Sequence, residues 1–183
     1  MSRQFYDFAT VTFTQMLTNL IKVLDKAADH AKSQGLDPDA YVEAKLAPDM
    51  FPLKLQIQVA CVQVNDAITI FTNAGEVVRP GACTDTTLED LKARMSAALA
   101  NVASATPESF EGAETRVVDM PLFGTKHLVT DGESMLRDWT FPHFYFAMTT
   151  AYDILRHEGV PLGKPDFAAH IGAMIVDRAG AAA

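Results

Sequence analysis

The sequence predicts an all-α protein, an up-and-down four-helix bundle with a small β-hairpin between the third and fourth helices. Apolar residues recur at helical spacing in four long segments, over about residues 3–34, 52–73, 86–104 and 130–157. Modest loops with glycine or proline separate these segments. A bundle is the natural way for four such amphipathic helices to bury their apolar faces together.

The first two helices each carry one apolar stripe. Gly35 and Gly75 end them, and a short helix over 37–44 and a proline-containing connector over 46–52 lie between them. Asp49 in this connector is expected to cap the second helix. The stripes consist of Phe13, Met16, Leu17, Leu20, Leu24, Ala27, Ala28 and Ala31 on the first helix, and Leu53, Ile57, Ala60, Val64, Ile68 and Phe71 on the second.

The third and fourth helices begin at predicted capping boxes over 86–89 and 130–133, where a hydroxyl and a carboxylate satisfy first-turn amides. Pro142 removes a helical donor and predicts a bend in the fourth helix. Between the two helices, β-prone runs over 115–120 and 126–129 predict the hairpin. The stripes consist of Leu88, Leu91, Met95, Ala98, Leu99 and Val102 on the third helix, and Phe144, Ala147, Met148, Ala151, Tyr152 and Leu155 on the fourth.

Bulk composition excludes several classes of function. The 183 residues suit a single domain over 1–183. A net charge of −8 argues against nucleic acid and anionic membrane surfaces as partners, because no basic stripe is available. No apolar run approaches the roughly 20 residues that span a bilayer, and the N-terminus lacks the apolar centre of a signal peptide. We therefore expect a cytoplasmic protein in which Cys61 and Cys83 are free thiols.

Two strings of the sequence are specific enough to compare with known families. The first is LAPDMFPL over 46–53, followed by Gln56, Gln58 and Ala60-Cys61. The second runs over 144–160 and contains FYF, TTAY, ILRH and GV. Together with the segment EGAE over 111–114, these strings resemble the signature of the DUF1993 family. The resemblance covers roughly residues 5–167, which leaves 168–183 as a short extension. It implies a bundle similar to the DinB/YfiT-like proteins, often homodimeric and sometimes metal-binding, with no established activity.

The resemblance also raises the question of a metal site. DinB-like metalloproteins use one histidine on the second helix and two on the last, spaced i and i+4, which places two imidazoles on one helical face. Here the second helix has no histidine, and Ala147 follows His143 at the i+4 position. The family commonly has histidine at the position of Ala147 and asparagine at that of His143. We therefore expect a degenerate site and no cofactor, with zinc or nickel disfavoured and His143 the only plausible single ligand.

Five residues are candidates for a small-molecule pocket: His143, Gln56, Tyr145, Asp49 and Tyr152. His143 could act as a base or ligand, helped by His30, because an up-and-down bundle places the end of the first helix beside the start of the fourth. The plainer interpretation is a partly buried histidine that bonds to the backbone. Likewise, Gln56 suits a polar helix face, and the tyrosines suit the core.

The other polar side chains of the second helix have two interpretations, as the lining of a cavity or as a solvated face. Gln58, Asn65 and Asp66 could line a cavity or form a solvated face, and Cys61 suits a small core position. No phosphate-binding glycine loop, G-x-S-x-G, C-x-x-C or H-E-x-x-H motif is present.

Three hypotheses about function remain. The first is a homodimeric bundle that binds a small molecule or a partner. The second is a DinB-like metal-dependent enzyme, a hydrolase or thiol transferase, that uses His143. The third is a module that binds another protein.

Overall fold

Four long helices pack around one hydrophobic cluster, as the apolar stripes predict. The computed structural model describes the chain over residues 2–78, 80–122 and 124–176. The first three helices are α1 (Ser2–Ser33), α2 (Leu53–Phe71) and α3 (Leu88–Ser104). Every member of the predicted stripes is buried, except Ala28, Leu99 and Tyr152, which are partly buried and pack against the cluster. The helical class and the inward faces of the helices are therefore confirmed.

The fourth helix, α4, is less regular. It begins as an α-helical turn over Gly132–Ser134, continues as a π-helix over Met135–Thr140 and ends as an α-helix over Phe141–His157. We predicted a bend near Pro142, and the irregular stretch comes directly before that residue. Proline cannot donate to the carbonyl four residues earlier, and the hydrogen bonding changes from π to α at this point.

Side-chain caps fix the starts of α3 and α4. Thr87 Oγ1 accepts a hydrogen bond of 3.0 Å from Asp90 N, and Asp90 Oδ2 accepts one of 3.0 Å from Thr87 N. The capping box therefore lies one residue later than the prediction at 86–89, because Thr87 is the residue that leaves the helical backbone conformation. In α4 the cap is Asp131, whose Oδ1 accepts from Ser134 N at 2.7 Å.

The direction of α3 differs from the alternating order that we predicted. α2 and α3 both begin beside the 3-10 helix Pro38–Glu43. Leu53 N donates to the carbonyl of Ala44 at 2.9 Å, and Leu88 N donates to Asp39 Oδ1 at 2.8 Å. The two helices therefore start at the same end of the bundle.

The same two helices also finish at one end, beside the first turns of α1. The ring of Phe71 lies 4.9 Å from that of Phe5, and Tyr6 Oη donates to the carbonyl of Ala105 at 3.1 Å. α2 and α3 are thus parallel. The chain between Phe71 and Leu88, which we call the crossover connection, returns along the bundle, whereas a strict up-and-down order needs only a short turn there.

The predicted hairpin is present between α3 and α4. Strand β1 (Val117–Pro121) pairs antiparallel with β2 (His127–Asp131), and Val118 lies opposite Thr130. Val118 and Met120 face the core, so one side of the hairpin covers the bundle. The strands begin and end one to two residues later than predicted.

The C-terminal segment lies along α1. It contains the short helix α5 (Lys164–Phe167) and a 3-10 helix over Ala169–Met174. The buried Asn19 donates from Nδ2 to the carbonyl of Phe167 at 3.0 Å and lies 2.8 Å from His170 Nδ1. Part of the predicted extension over 168–183 thus contacts the bundle, while residues 177–183 lie outside the described part of the chain. None of the helices over 2–78, 80–122 and 124–176 combines the length and apolar character needed to cross a membrane.

Candidate functional site

The structure places His143 and Tyr145 at the start of the long α-helical part of α4, near the beginning of α1. His143 is exposed, and its Nδ1 donates to the carbonyl of Trp139 at 2.6 Å, while the two rings lie 4.2 Å apart. Tyr145 is 39% exposed, and partial burial raises the pKa of its hydroxyl. Both side chains therefore belong to the surface of the bundle and not to an enclosed cavity.

Gln56 and Asp49 lie at the other end of the bundle, where α2 begins. Gln56 is buried, and its Nε2 is 3.4 Å from the carbonyl of Phe51. Asp49 is exposed and does not cap α2, so that prediction is wrong: the capping position is Pro52, which has no side-chain acceptor. Tyr152 packs against Phe167, with ring centroids 5.7 Å apart. The five predicted residues are not brought together around one cavity.

His30 does not lie beside His143, in contrast to the prediction. Its Nδ1 is 3.2 Å from Tyr41 Oη, and its ring approaches Gly159, at the far end of α4. Phe8 at the start of α1 instead packs against Phe141. α1 and α4 are therefore parallel, because the reversed direction of α3 also reverses α4 relative to an alternating bundle.

The position four residues after His143 lies in the core. Ala147 is fully buried on α4. Over the described ranges, no group of three or more His, Cys, Asp or Glu side chains is placed to hold a metal ion.

The polar residues of α2 line a groove against α3. Gln58, Asn65 and Asp66 border a cavity of about 460 Å³ together with Asp85 and Arg94. Gln58 Nε2 donates to the carbonyl of Gly81 in the crossover connection at 3.1 Å. At least part of this polar face thus has a structural use, since it holds the returning chain.

An ion pair also joins the crossover connection to α3. Arg94 Nε and Nη2 donate to the two carboxylate oxygens of Asp85 at 2.6 and 2.9 Å, and this pairing holds the pKa of Asp85 below its usual range. Nearby, burial raises the pKa of the Cys61 thiol to about 12, despite the charge of Arg94. Burial therefore disfavours the thiolate of Cys61, which is the reactive form of a cysteine. Cys61 and Cys83 are free thiols, as expected.

A second groove lies where α1, α4 and the segment before the hairpin meet. We call it the aromatic groove; its volume is about 510 Å³. The lining residues are Gln4, Phe5, Phe8, Glu114, Glu133, Leu136, Arg137 and Phe141. Most of the surface that these residues present is apolar, in contrast to the groove between α2 and α3. Such a surface suits an organic molecule.

Aromatic rings form one wall of the aromatic groove. Phe8 is 64% exposed, and its ring meets that of Phe141 edge to face at 5.4 Å. Phe141 in turn lies 6.0 Å from Tyr145, so the predicted pocket residue Tyr145 borders this wall. Exposed apolar side chains that lie together in one patch, as these rings do, are typical of ligand-binding grooves and contact sites.

Glu114 is the polar residue of interest in the aromatic groove. Its Oε2 atom is buried and accepts no hydrogen bond from any described residue. The backbone around it is fixed by Gly132, because a Cβ at that position would lie only 2.0 Å from the carbonyl oxygen of Ala113. Arg137 is the one cationic side chain among the described lining residues; it is engaged with Asp138 at 2.7 Å and lies 3.9 Å from Glu133.

The sequence did not single out Phe5, Phe8 or Glu114 as site residues. Glu114 stood out only as part of the string over 111–114, and Phe8 lies outside the apolar stripe of α1. A large apolar residue on the polar side of a predicted helix is the signal that could have found Phe8.

Comparison with known proteins identifies the family. The chain matches the model of DUF1993, described as a domain of unknown function, over residues 5–168. None of the curated proteins matches the chain. The crystal structure of a DinB family member protein from Shewanella denitrificans superposes with a TM-score of 0.82 at 32% sequence identity, covering 91% of this chain and 93% of that one. This chain therefore belongs to the DUF1993 family of unknown function, among the DinB-like helical bundles.

Proposed function

We propose that this chain binds a small, largely apolar molecule in the aromatic groove and is not a catalyst. The observation that carries the proposal is the ring of Phe8, which is 64% exposed at a cavity of about 510 Å³. Cavities of this size hold metabolite-sized ligands, and an exposed aromatic ring gains free energy when a ligand covers it.

Binding accounts for the site better than the enzyme hypothesis does. A general base must lie within hydrogen-bonding reach of a substrate group and is usually oriented by another polar side chain. The contacts of His143 are the carbonyl and the ring of Trp139. The thiol of Cys61 is buried and protonated. Neither residue is arranged with a partner that would activate it.

The proposal includes a degenerate metal site and no required cofactor. The buried Ala147 supports it, since its methyl group cannot replace an imidazole ligand. The alternative is a zinc or nickel ion with His143 as a ligand. Elemental analysis of tag-free protein and a titration with both metals decide between the two, with His143→Ala as the control. Stoichiometric metal that is lost in the variant would favour the enzyme hypothesis.

We also propose a homodimer in the cytoplasm, with no nucleic acid partner. The net charge of −8 disfavours nucleic acid, and Phe146 supports the dimer, because its side chain is 64% exposed on α4. Light scattering on the wild type and on Phe146→Glu checks the dimer. A wild-type monomer, or a variant that dimerises equally well, would contradict it.

The binding proposal is tested with the neutral fluorophore N-phenyl-1-naphthylamine, whose emission rises in apolar surroundings. We expect saturable binding to the wild type. Phe8→Ala should weaken it about tenfold, because the ligand loses one wall of buried apolar surface.

The matched control for this experiment is Phe146→Ala. Phe146 is also 64% exposed but does not line the aromatic groove, so its removal should leave probe binding unchanged. The proposal fails if the wild type does not bind the probe, or if the two variants weaken binding equally.

A further inference from the structure

We infer that the natural occupant of the aromatic groove is an organic cation, an aryl- or alkylammonium compound whose nitrogen pairs with Glu114. This inference rests on the proposed function, since it names the chemical class of the ligand in the same groove. It is carried by the combination of an unpartnered carboxylate oxygen with aromatic walls.

One oxygen of the Glu114 carboxylate has lost water without gaining a partner. Its Oε2 atom is enclosed by the protein, and no described residue donates a hydrogen bond to it, whereas the side chain as a whole is only partly buried and lines the groove. Removing a carboxylate from water without a compensating donor destabilises the protein, so a positive charge placed beside the accessible part of the same carboxylate recovers free energy. A positively charged nitrogen is the strongest such donor.

The lining of the aromatic groove does not supply the missing positive charge itself. Arg137 bonds through Nε and Nη2 to both carboxylate oxygens of Asp138, at 2.8 and 2.7 Å. Its Nη1 lies 3.9 Å from Glu133. Among the described lining residues, two carboxylates, Glu114 and Glu133, therefore border the groove together with one guanidinium that is already paired. The charge of the groove complements a cation and repels an anion.

The aromatic wall favours the same class of ligand. The faces of phenylalanine rings attract ammonium groups, most strongly where water is excluded. Phe5, Phe8 and Phe141 border the cavity that Glu114 also lines. A ligand with an apolar body and one ammonium group would cover the rings with its body and reach the carboxylate with its nitrogen.

The test compares two molecules of nearly equal shape, 2-naphthylmethylamine, which is an ammonium ion at pH 7, and 2-naphthylmethanol, which is neutral. Calorimetry on the wild type should show about tenfold tighter binding of the amine. In Glu114→Gln this preference should disappear, because the amine loses its ionic partner. Glu111→Gln is the matched control and should keep the preference, because Glu111 is exposed and does not line the groove.

The outcomes separate this inference from the proposed function. The inference of a cationic ligand is wrong if both compounds bind the wild type equally, or if the preference for the amine survives in Glu114→Gln. Either result is still compatible with the aromatic groove as a binding site. Binding of neither compound overturns both proposals. A salt titration of the wild type tests the ion pair without any variant. Added NaCl should weaken binding of the amine and leave binding of the alcohol unchanged. Equal salt sensitivity of the two affinities would contradict the ion pair.

Discussion

At the scale of single residues, Gly132 allows α4 to pack closely against the backbone segment that carries Glu114. The first turn of α4 passes so close to the segment before the hairpin that a Cβ on Gly132 would meet the carbonyl oxygen of Ala113 at 2.0 Å and Glu114 Cα at 3.5 Å. Backbone atoms cannot move aside as a flexible side chain would. The shape of the aromatic groove near Glu114 therefore depends on a hydrogen atom at residue 132.

We predict that Gly132→Ala lowers the free energy of unfolding by about 2–3 kcal/mol, because the added methyl group forces two backbone segments apart. Urea unfolding followed by circular dichroism measures the change. Gly172→Ala is the matched control, since a Cβ there meets no atom within 4 Å. A loss below about 0.5 kcal/mol in Gly132→Ala would show that the two segments separate without cost.

Residue-level patterns in the sequence could not predict the surroundings of Glu114. Its backbone lies against Gly132 of α4, which is distant along the chain, and neither residue has a local signal for this contact. Conversely, the inward positions of α1 to α4 follow from periodicity, because each depends only on neighbours three or four positions away.

At the scale of elements, the start of α3 shows how a helix boundary is fixed. Two overlapping capping boxes are possible in residues 86–90, and the chain uses Thr87 with Asp90. Thr86 Oγ1 makes only a 3.4 Å contact with Asp90 Oδ2 at the surface. Hydrogen bonds from Thr86 and Thr87, the two residues before the helix, also lower the pKa of Asp90.

We predict that Thr87→Ala lowers the free energy of unfolding by about 1 kcal/mol, the usual effect of removing a capping hydroxyl. Thr86→Ala should have a clearly smaller effect, because its hydroxyl does not accept from a helix amide. Chemical denaturation of both variants measures the difference. A larger loss in Thr86→Ala would place the cap at the residue that the sequence pattern suggested.

The π-helical stretch over Met135–Thr140 was not predictable in the same way. Over six residues, the apolar spacing of an α-helix and that of a π-helix barely differ. Only the packed neighbours and the proline that follows decide between them. Sequence periodicity predicted α4 as an element but not its internal geometry.

At the scale of the whole molecule, the crossover connection makes the order of helix directions possible. The 19 residues of α2 rise about 28 Å at 1.5 Å per residue. The chain between Phe71 and Leu88 can extend well beyond that distance at about 3.3 Å per residue. The crossover connection is therefore long enough for α3 to run either parallel or antiparallel to α2, and sequence patterns alone could not predict which direction it takes.

The ion pair between Asp85 and Arg94 should make the stability of the folded protein fall at acidic pH. The pKa of Asp85 is lowered in the folded protein, so its contribution to stability is complete above about pH 4, the unfolded value, and is lost as the pH falls through the folded pKa. We predict that Asp85→Asn costs about 1–2 kcal/mol at pH 7 and that its difference from the wild type shrinks below pH 4.

Unfolding curves between pH 2 and pH 7 measure this difference. Asp138→Asn is a suitable control, because Arg137 also lowers the pKa of Asp138, but both side chains of that pair are about 60% exposed. Its effect should be smaller at every pH. A difference between Asp85→Asn and the wild type that does not change with pH would contradict the role of the charge.

The parallel arrangement of α2 and α3 has an electrostatic consequence for the molecule. In an alternating bundle, neighbouring helix macrodipoles attract, whereas here the like ends of two helices lie together. Carboxylates stand at the positive end of α3, where Asp39 and Asp90 accept from the backbone amides of Leu88 and Thr87. At the negative end of α2, Arg116 donates to the carbonyls of Ile70 and Phe71 at 2.9 and 3.0 Å. These side chains oppose the aligned dipoles and so reduce the field that the helix pair projects into solvent.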